Sequence, residues 1–270
     1  MTRGPEFLAS QAGRLHTAMG ACYPGSHTVF RGRDLHAELR DSDWVGLYLF
    51  AITGRQFTPQ QIRMVHGIWV VTSYPDTRLW NNRVAALATS QRSSSNLGIA
   101  AGLALSEATL YGGQAGLRAL DFLLRLGRAV DGGAELGAWV LAEKAQRRIY
   151  GYGRPINNID ERLPVIMDLA RANGLDQGPH VRLAWQVEAV LQPRYPKLRM
   201  NFAALHAALL ADMGLGLRDY QMLRVPTFLA GMPPCAADAA AKPEASLFPV
   251  PCAAVAYAGL AERTWPPADT

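Results

Sequence analysis

The densest grouping of chemistry-capable residues is RRIYGYGRPINNIDER at 147–162. Arg147, Arg148, Arg154 and Arg162 surround glycines, a proline and two asparagines, which are poor helix material. Glycines expose backbone donors, and arginine forks grip carboxylate or phosphate. The segment therefore reads as an anion-binding loop or as a solvated basic loop. No β-rich run precedes it, so it is not a dinucleotide fingerprint. The six histidines are His16, His27, His36, His66, His180 and His206, and none lies four residues from another. The helical metal-binding spacing is thus absent, and no metal site is expected. His206 lies within the apolar stretch NFAALHAALL and reads as a partly buried structural histidine or as a site residue. His66 precedes an apolar run, and His36 sits among charges, as on a surface. A GKS/T phosphate loop, a G-x-S-x-G elbow, H-E-x-x-H and an EF-hand are all missing.

The elements that must position these groups are helices. Asp34 to Thr53 alternates polar groups with Leu35, Leu39, Trp44, Val45, Leu47 and Leu49, which predicts one or two amphipathic helices ending at Gly54. Thr58-Pro59-Gln60-Gln61 has the form of a capping box, starting a helix that runs to about Val70. The helical pattern resumes over 80–109, then near 115–129 and 134–147, and again near 161–173, 180–192, 201–213 and 219–230. Residues 1–30 read as irregular, with a turn at Pro24-Gly25. Beyond Gly231 the prolines permit only short elements, and no alternating strand set or repeat is visible. An all-α array is the expected fold class.

Composition agrees with a globular core. The 270 residues are 49% hydrophobic and 18% charged, which excludes a disordered polyelectrolyte. Size scaling for 270 residues gives roughly 11,500 Å² of folded surface against about 42,500 Å² unfolded. The net charge of +5 favours anionic partners without pointing to nucleic acid. Lys144, Lys197 and Lys242 are the only lysines, so arginine supplies most of the positive charge. Cys22, Cys235 and Cys252 form no CxxC pair, as expected in a reducing cytoplasm. Neither a secretory signal nor a membrane span is expected from the sequence.

Four segments together resemble the citrate synthase superfamily, most of all its short citryl-CoA lyase-type members. FRGRDLHAEL at 30–39 with GRQFTP at 54–59 is similar to the family's Y-R-G-x-D-(I/L) opening and later G-x-(L/F)-P turn. YPDTRLWNNRVAALATS at 74–90 with LGIAAGLALSEATLYGGQAG at 97–116 resembles the run from D-H-x-x-N to L-x-G-x-x-H-G-G-A-N. IYGYGRPINNIDER at 149–162 resembles G-(Y/F)-G-H-x-V/I followed by D-P-R. YPKLRMNFAALHAALLADMGLGL at 195–217 resembles (F/Y)-(Y/P)-x-N-V-D-F-Y followed by L-G-I. AYAGLAERTWPP resembles the closing Y-x-G segment, so the likeness spans roughly residues 28–265.

The resemblance implies a citrate synthase-like helical array over 1–265. A large domain would comprise 28–130 and 195–265, with a small lid at 131–194, and the family usually dimerises. It implies a small carboxylate or acyl-CoA as ligand and a coenzyme A thioester as possible substrate, with no metal, nucleic acid or membrane partner. Family chemistry uses a carboxylate to remove an α-proton, a histidine to donate to the enolate oxygen, a second histidine at the ketone and arginines on the dicarboxylate. Carried over by position, the enolate histidine falls on Tyr111, the ketone histidine on Arg154 and the catalytic aspartate on Asn201. Asp76 is kept from the D-H pair while its histidine falls on Thr77, and the arginine of D-P-R is Arg162. The arginine after L-G-I falls near Ala230, and R-P-R becomes Val250-Pro251-Cys252, without an arginine.

Asn201 is no general base at neutral pH, and a tyrosine with a reference pKa near 10 is a poor substitute for histidine. Ordinary citrate synthesis is not expected. Three readings stand. One is a repurposed enzyme making or breaking a carbon–carbon bond, with Tyr111, Arg154 and Asn201 catalytic. Arg162, Asp76, Thr77 and His206 would then bind substrate, while Gly151, Tyr152, Gly153 and Arg148 bind the cofactor portion. An activated β-keto or malonyl-type donor would release the enolate by losing CO₂ and so tolerate the missing aspartate. Another is a non-catalytic ligand-binding or regulatory homologue. The third is a citrate synthase or citryl-CoA lyase with displaced residues.

Overall fold

The computed structural model describes residues 4–13, 15–154 and 159–265, so the expected loop at 155–158 and the tail from 266 lie outside the described residues. A short helix, α1 (Pro5–Ser10), precedes a feature the sequence did not announce. β1 (Gly20–Tyr23) pairs antiparallel with β2 (His27–Phe30), and β3 (Arg33–Asp34) completes a three-stranded sheet. The expected turn at Pro24-Gly25 closes the hairpin, with Gly25 at φ 76°. Helix over 34–43 does not form. The Asp34 carboxylate accepts from the His36 and Ala37 N–H groups, a side-chain turn that competes with helical bonding.

From Trp44 the chain is helical. α2 (Trp44–Thr53) starts where Asp43 accepts from the Val45 and Gly46 N–H groups and ends at Gly54, φ 74°. α3 (Pro59–Thr72) carries the expected capping box, with Thr58 and Gln61 exchanging bonds of 3.2 and 3.0 Å. The pattern expected over 80–109 is two helices, α4 (Trp80–Ser90) and α5 (Ser95–Leu105). Arg92 turns the corner at φ 61°, held there by its guanidinium on the Ala240 and Lys242 carbonyls. There follow α6 (Gly113–Asp131), α7 (Leu136–Gln146), α8 (Arg162–Ala172), α9 (Pro179–Leu191) and α10 (Phe202–Asp212), each within a few residues of expectation. The helix expected over 219–230 is broken at Arg224 into α11 (Leu217–Leu223) and α12 (Val225–Leu229), because Pro226 has no N–H to continue the ladder. α13 (Met232–Ala240) is longer than its prolines suggested, since they sit in its first turn.

α10 is the central helix. Ala204 through Ala211 are all buried, and α6 and α9 pack against it. The core is continuous from Leu120 and Leu123 on α6 through Leu205 and Leu209 to Val140, Ile166 and Val181 on α7, α8 and α9. α4, α5 and α13 pack as a second group around Ala85, Ala86, Met232 and Ala236. Small residues set that spacing: a Cβ at Gly102 would stand 2.8 Å from the Asn81 carbonyl oxygen. The accessible surface is 16783 Å², well above the roughly 11,500 Å² of a compact chain this long. The exposed hairpin and the extended segment after α13 contribute to the excess. Among the described residues no helix is long and apolar enough to cross a membrane.

Candidate functional site

A cavity of about 1100 Å³ opens among the start of α4, the α5–α6 junction, the 144–154 segment, the start of α10 and α11–α12. Tyr111, Arg148, Gly151, Tyr152, Gly153, Arg154, Arg162, Asn201 and His206 all line it. Asp76 and Thr77 do not. Asp76 instead holds Arg78 through bonds of 2.6 to 3.1 Å, which keep its carboxyl below the usual range. The Asp76 and Thr77 carbonyls accept from Asn82 and Arg83, so the pair builds the turn into α4.

Tyr111 stands at the rim, 55% exposed and edge-on to Trp80 with centroids 5.5 Å apart. Its φ of 58° is a left-handed conformation that costs a non-glycine residue about 1–2 kcal/mol. Asn201 caps α10: its Oδ1 accepts from the Ala203 N–H at 2.9 Å and its Nδ2 donates to the Gly153 carbonyl at 2.8 Å. Both ends of the amide are therefore spent on framework. Gly151 and Gly153 adopt φ of 90° and 88°, and their backbones clamp the same corner. Gly151 O accepts from Asn201 N, and Gly153 N donates to Arg199 O at 2.6 Å, so Gly153 is no spare donor for a cofactor. The Tyr152 side chain points into the core, with its hydroxyl on the Ala184 carbonyl at 2.8 Å.

Arg154 and Arg162 are neutralised by acids beside them. Arg154 Nη1 donates to Glu161 at 2.6 Å and to the Ile159 carbonyl at 2.8 Å, which raises the arginine pKa and lowers that of Glu161. Arg162 grips Asp160 with Nε and Nη2, both at 2.8 Å, while its face lies 4.6 Å from the Phe202 ring centroid. Asp160 is buried and also accepts from the Phe202 N–H at 2.8 Å, tying α8 to α10. Burial pushes the Asp160 carboxyl up, but Arg162 and the backbone donors outweigh it, leaving the pKa below the usual range.

His206 is 2% exposed, stacked on Phe202 at 5.0 Å, with Nδ1 3.3 Å from the Tyr220 hydroxyl. Burial first, and the positive charge of Arg162 second, push its pKa down to about 3. The imidazole is neutral at physiological pH. In the tautomer whose Nδ1 accepts from the Tyr220 hydroxyl, the ring proton is on Nε2 and can be donated, though not from a cation.

The wall holds the expected Arg148 and also polar groups that the sequence did not single out, Lys144 and Lys197 among them. Lys144, Arg148 and Lys197 line the cavity from two adjoining segments, with Lys144 4.9 Å from the Tyr195 ring and Arg118 donating to the Tyr150 hydroxyl at 2.6 Å. Asn82, Arg224 and Thr227 line it too, and each is buried with a polar atom that has no partner among the described residues: Asn82 Oδ1, Arg224 Nε and Nη1, and Thr227 Oγ1. Asp160 and Glu161 were readable as acids within the arginine-rich segment. Arg224 had no signal, being one more arginine in a polar helix. Among the described residues there is no group of three His, Cys, Asp or Glu side chains placed to hold a metal ion.

No protein-family model and no curated protein sequence matches the chain. Solved structures do. Citryl-CoA lyase from Hydrogenobacter thermophilus superposes with a TM-score of 0.81 at 21% identity, covering 93% of this chain and 97% of that one. ATP citrate lyase from Methanothrix soehngenii gives 0.71 at 17% identity, with 97% of this chain matching 45% of that one. Citrate synthase from Thermoplasma acidophilum gives 0.63 at 18%, covering 84% and 59%. The helical array of this chain is thus the fold of citryl-CoA lyase and citrate synthase.

Proposed function

We propose that the cavity binds an acyl-CoA thioester and supports formation or cleavage of a carbon–carbon bond beside a carboxylate. The observation that carries this reading is the content of one cavity: Lys144, Arg148 and Lys197 for phosphates, and the neutral His206 as a hydrogen-bond donor. Structures of the same fold lend support, since the Methanothrix soehngenii ATP citrate lyase was solved with citrate and coenzyme A. The Thermoplasma acidophilum citrate synthase was solved with carboxymethyl coenzyme A and oxaloacetate. Residues 131–194 act as a lid in this proposal, and two copies of the chain form a homodimer.

Without an aspartate at 201, the chemistry must avoid abstracting an α-proton with that side chain. A carboxyacyl thioester that loses CO₂ leaves its electron pair on the α-carbon as an enolate, whose oxygen a neutral imidazole stabilises by donation. Tyr111 stands at the rim as a further donor. Arg154 and Asn201 keep the corner in shape and act on the ligand only by exchanging their present partners.

A second reading, a non-catalytic ligand-binding protein, is favoured by that same satisfaction of Arg154 and Asn201. Incubation with acetyl-CoA or malonyl-CoA and a panel of 2-oxoacids, followed by mass spectrometry, separates the two. The enzyme reading predicts a condensed or cleaved product that Arg162→Ala abolishes. Coenzyme A binding with no new product supports the second reading, and absence of both overturns the proposal.

A further inference from the structure

Arg224 is 3% exposed and lies against the first turn of α6. A Cβ built at Gly113 would stand 1.4 Å from its Nη1, so only glycine there admits the guanidinium. Its Nη2 donates to Glu107, while Nε and Nη1 have no partner among the described residues. The N-terminus of this 19-residue helix, capped by Gly112 with no side-chain bond, faces the same cavity. A helix N-terminus carries partial positive charge and repels a guanidinium. A buried cation with unmade hydrogen bonds beside it is costly on two counts. Glu107, 52% exposed in its side chain and shared with Gln114 Nε2 at 3.2 Å, offsets only part of that charge. Thr227, one turn along and hydrogen-bonded by its N–H to the Arg224 carbonyl, adds a buried hydroxyl without a partner among the described residues.

We propose that Arg224, the N-terminus of α6 and Thr227 form an anion pocket that takes a carboxylate of the cavity's ligand. The substrate is then a carboxyacyl compound with a second acid group, a refinement that rests on the ligand-binding reading above. Carboxylate fits better than phosphate here. The free Nε and Nη1 point to different sides of the guanidinium, so each meets a single carboxylate oxygen and the Thr227 hydroxyl supplies a further bond. Phosphate also concentrates its charge on one tetrahedral group, whereas a single carboxylate brings one charge, so phosphate loses more solvation in so enclosed a site.

The test is calorimetric titration of malonate, inorganic phosphate and coenzyme A into the wild-type chain, Arg224→Met and Glu107→Gln. Malonate affinity should fall about tenfold or more in Arg224→Met, the loss of charge-assisted hydrogen bonds from a buried cation. It should rise about threefold in Glu107→Gln, where the internal competitor loses its charge. Coenzyme A affinity should not change in either variant. Malonate binding that ignores both substitutions overturns the pocket, and Arg224-dependent binding of phosphate but not malonate overturns the carboxylate assignment. Should Arg224→Met not fold, Glu107→Gln decides alone: tighter malonate binding supports the pocket, and unchanged or weaker binding refutes it. A wild-type chain that binds malonate but not coenzyme A would refute the thioester reading while leaving this pocket standing.

Discussion

Asn201 is the sharpest place to separate framework from chemistry, because its amide makes two hydrogen bonds and lines the cavity. Asn201→Ala removes the α10 cap at 2.9 Å and the bond to the Gly153 carbonyl at 2.8 Å. A lost cap costs about 1 kcal/mol and a lost neutral hydrogen bond about as much again. The sum of about 2 kcal/mol lowers the thermal midpoint of a chain this size by roughly 4–8 °C. Asn201→Asp keeps the cap and gains from a negative charge at a helix N-terminus, but it loses the donor and sets a carboxylate against the Gly153 carbonyl. It should therefore fall between Ala and wild type. The assay is thermal denaturation followed by circular dichroism, at one fixed protein concentration so that any dimer linkage is held constant. An Asn201→Ala midpoint within about 1 °C of wild type would refute the assigned role, since 1 °C is under ~0.5 kcal/mol here. An Asp variant as labile as Ala would show that the Gly153 contact, not the cap, dominates.

Other outcomes follow from the same geometry. Asp160→Ala strands the Arg162 cation and the Phe202 N–H, and should cost about 3–5 kcal/mol in chemical denaturation. Asp160 has a depressed folded pKa, so its contribution is present above the unfolded carboxyl value and is lost as pH falls through the folded one. The acid limb of Asp160→Asn should accordingly be flatter than that of wild type. His206 is held neutral down to about pH 3, whereas the unfolded chain takes up that proton below about pH 6.5. Its burial makes stability decline as pH falls from 6.5 toward 3, by about 1.4 kcal/mol per unit, and His206→Gln should remove that slope from a pH series of unfolding curves. Gly151→Ala forces a side chain at φ 90° and to 2.6 Å from the Ala204 Cβ. It should lower the midpoint more than Gly174→Ala, which has the same sign of φ and open space around it.

The parts of the fold that could be read from sequence were those written in local chemistry. Thr58, Pro59 and Gln61 announce α3, and Gly54 ends α2, because caps and left-handed stops act within a few residues. The hairpin at 20–30 escaped because its strands are four residues each and none of their residues is buried, leaving little alternation to see. Of the candidate site, the convergence of two segments was legible, while the outlying place of Asp76 and Thr77 and the state of the side chains were not. The arginine-rich segment and the start of α10 do meet at one cavity. That Arg154 is occupied by Glu161, that Tyr152 turns inward, or that Arg224 is buried depends on partners up to 117 residues away in sequence. Periodicity carries no information about such pairs.

Titration of coenzyme A into the wild-type chain, with Arg148→Ala and Lys197→Ala alongside, tests the central proposal most directly. Saturable binding that weakens in both variants and with added salt is the predicted result. No detectable binding at millimolar ligand, or binding indifferent to both substitutions, would contradict it.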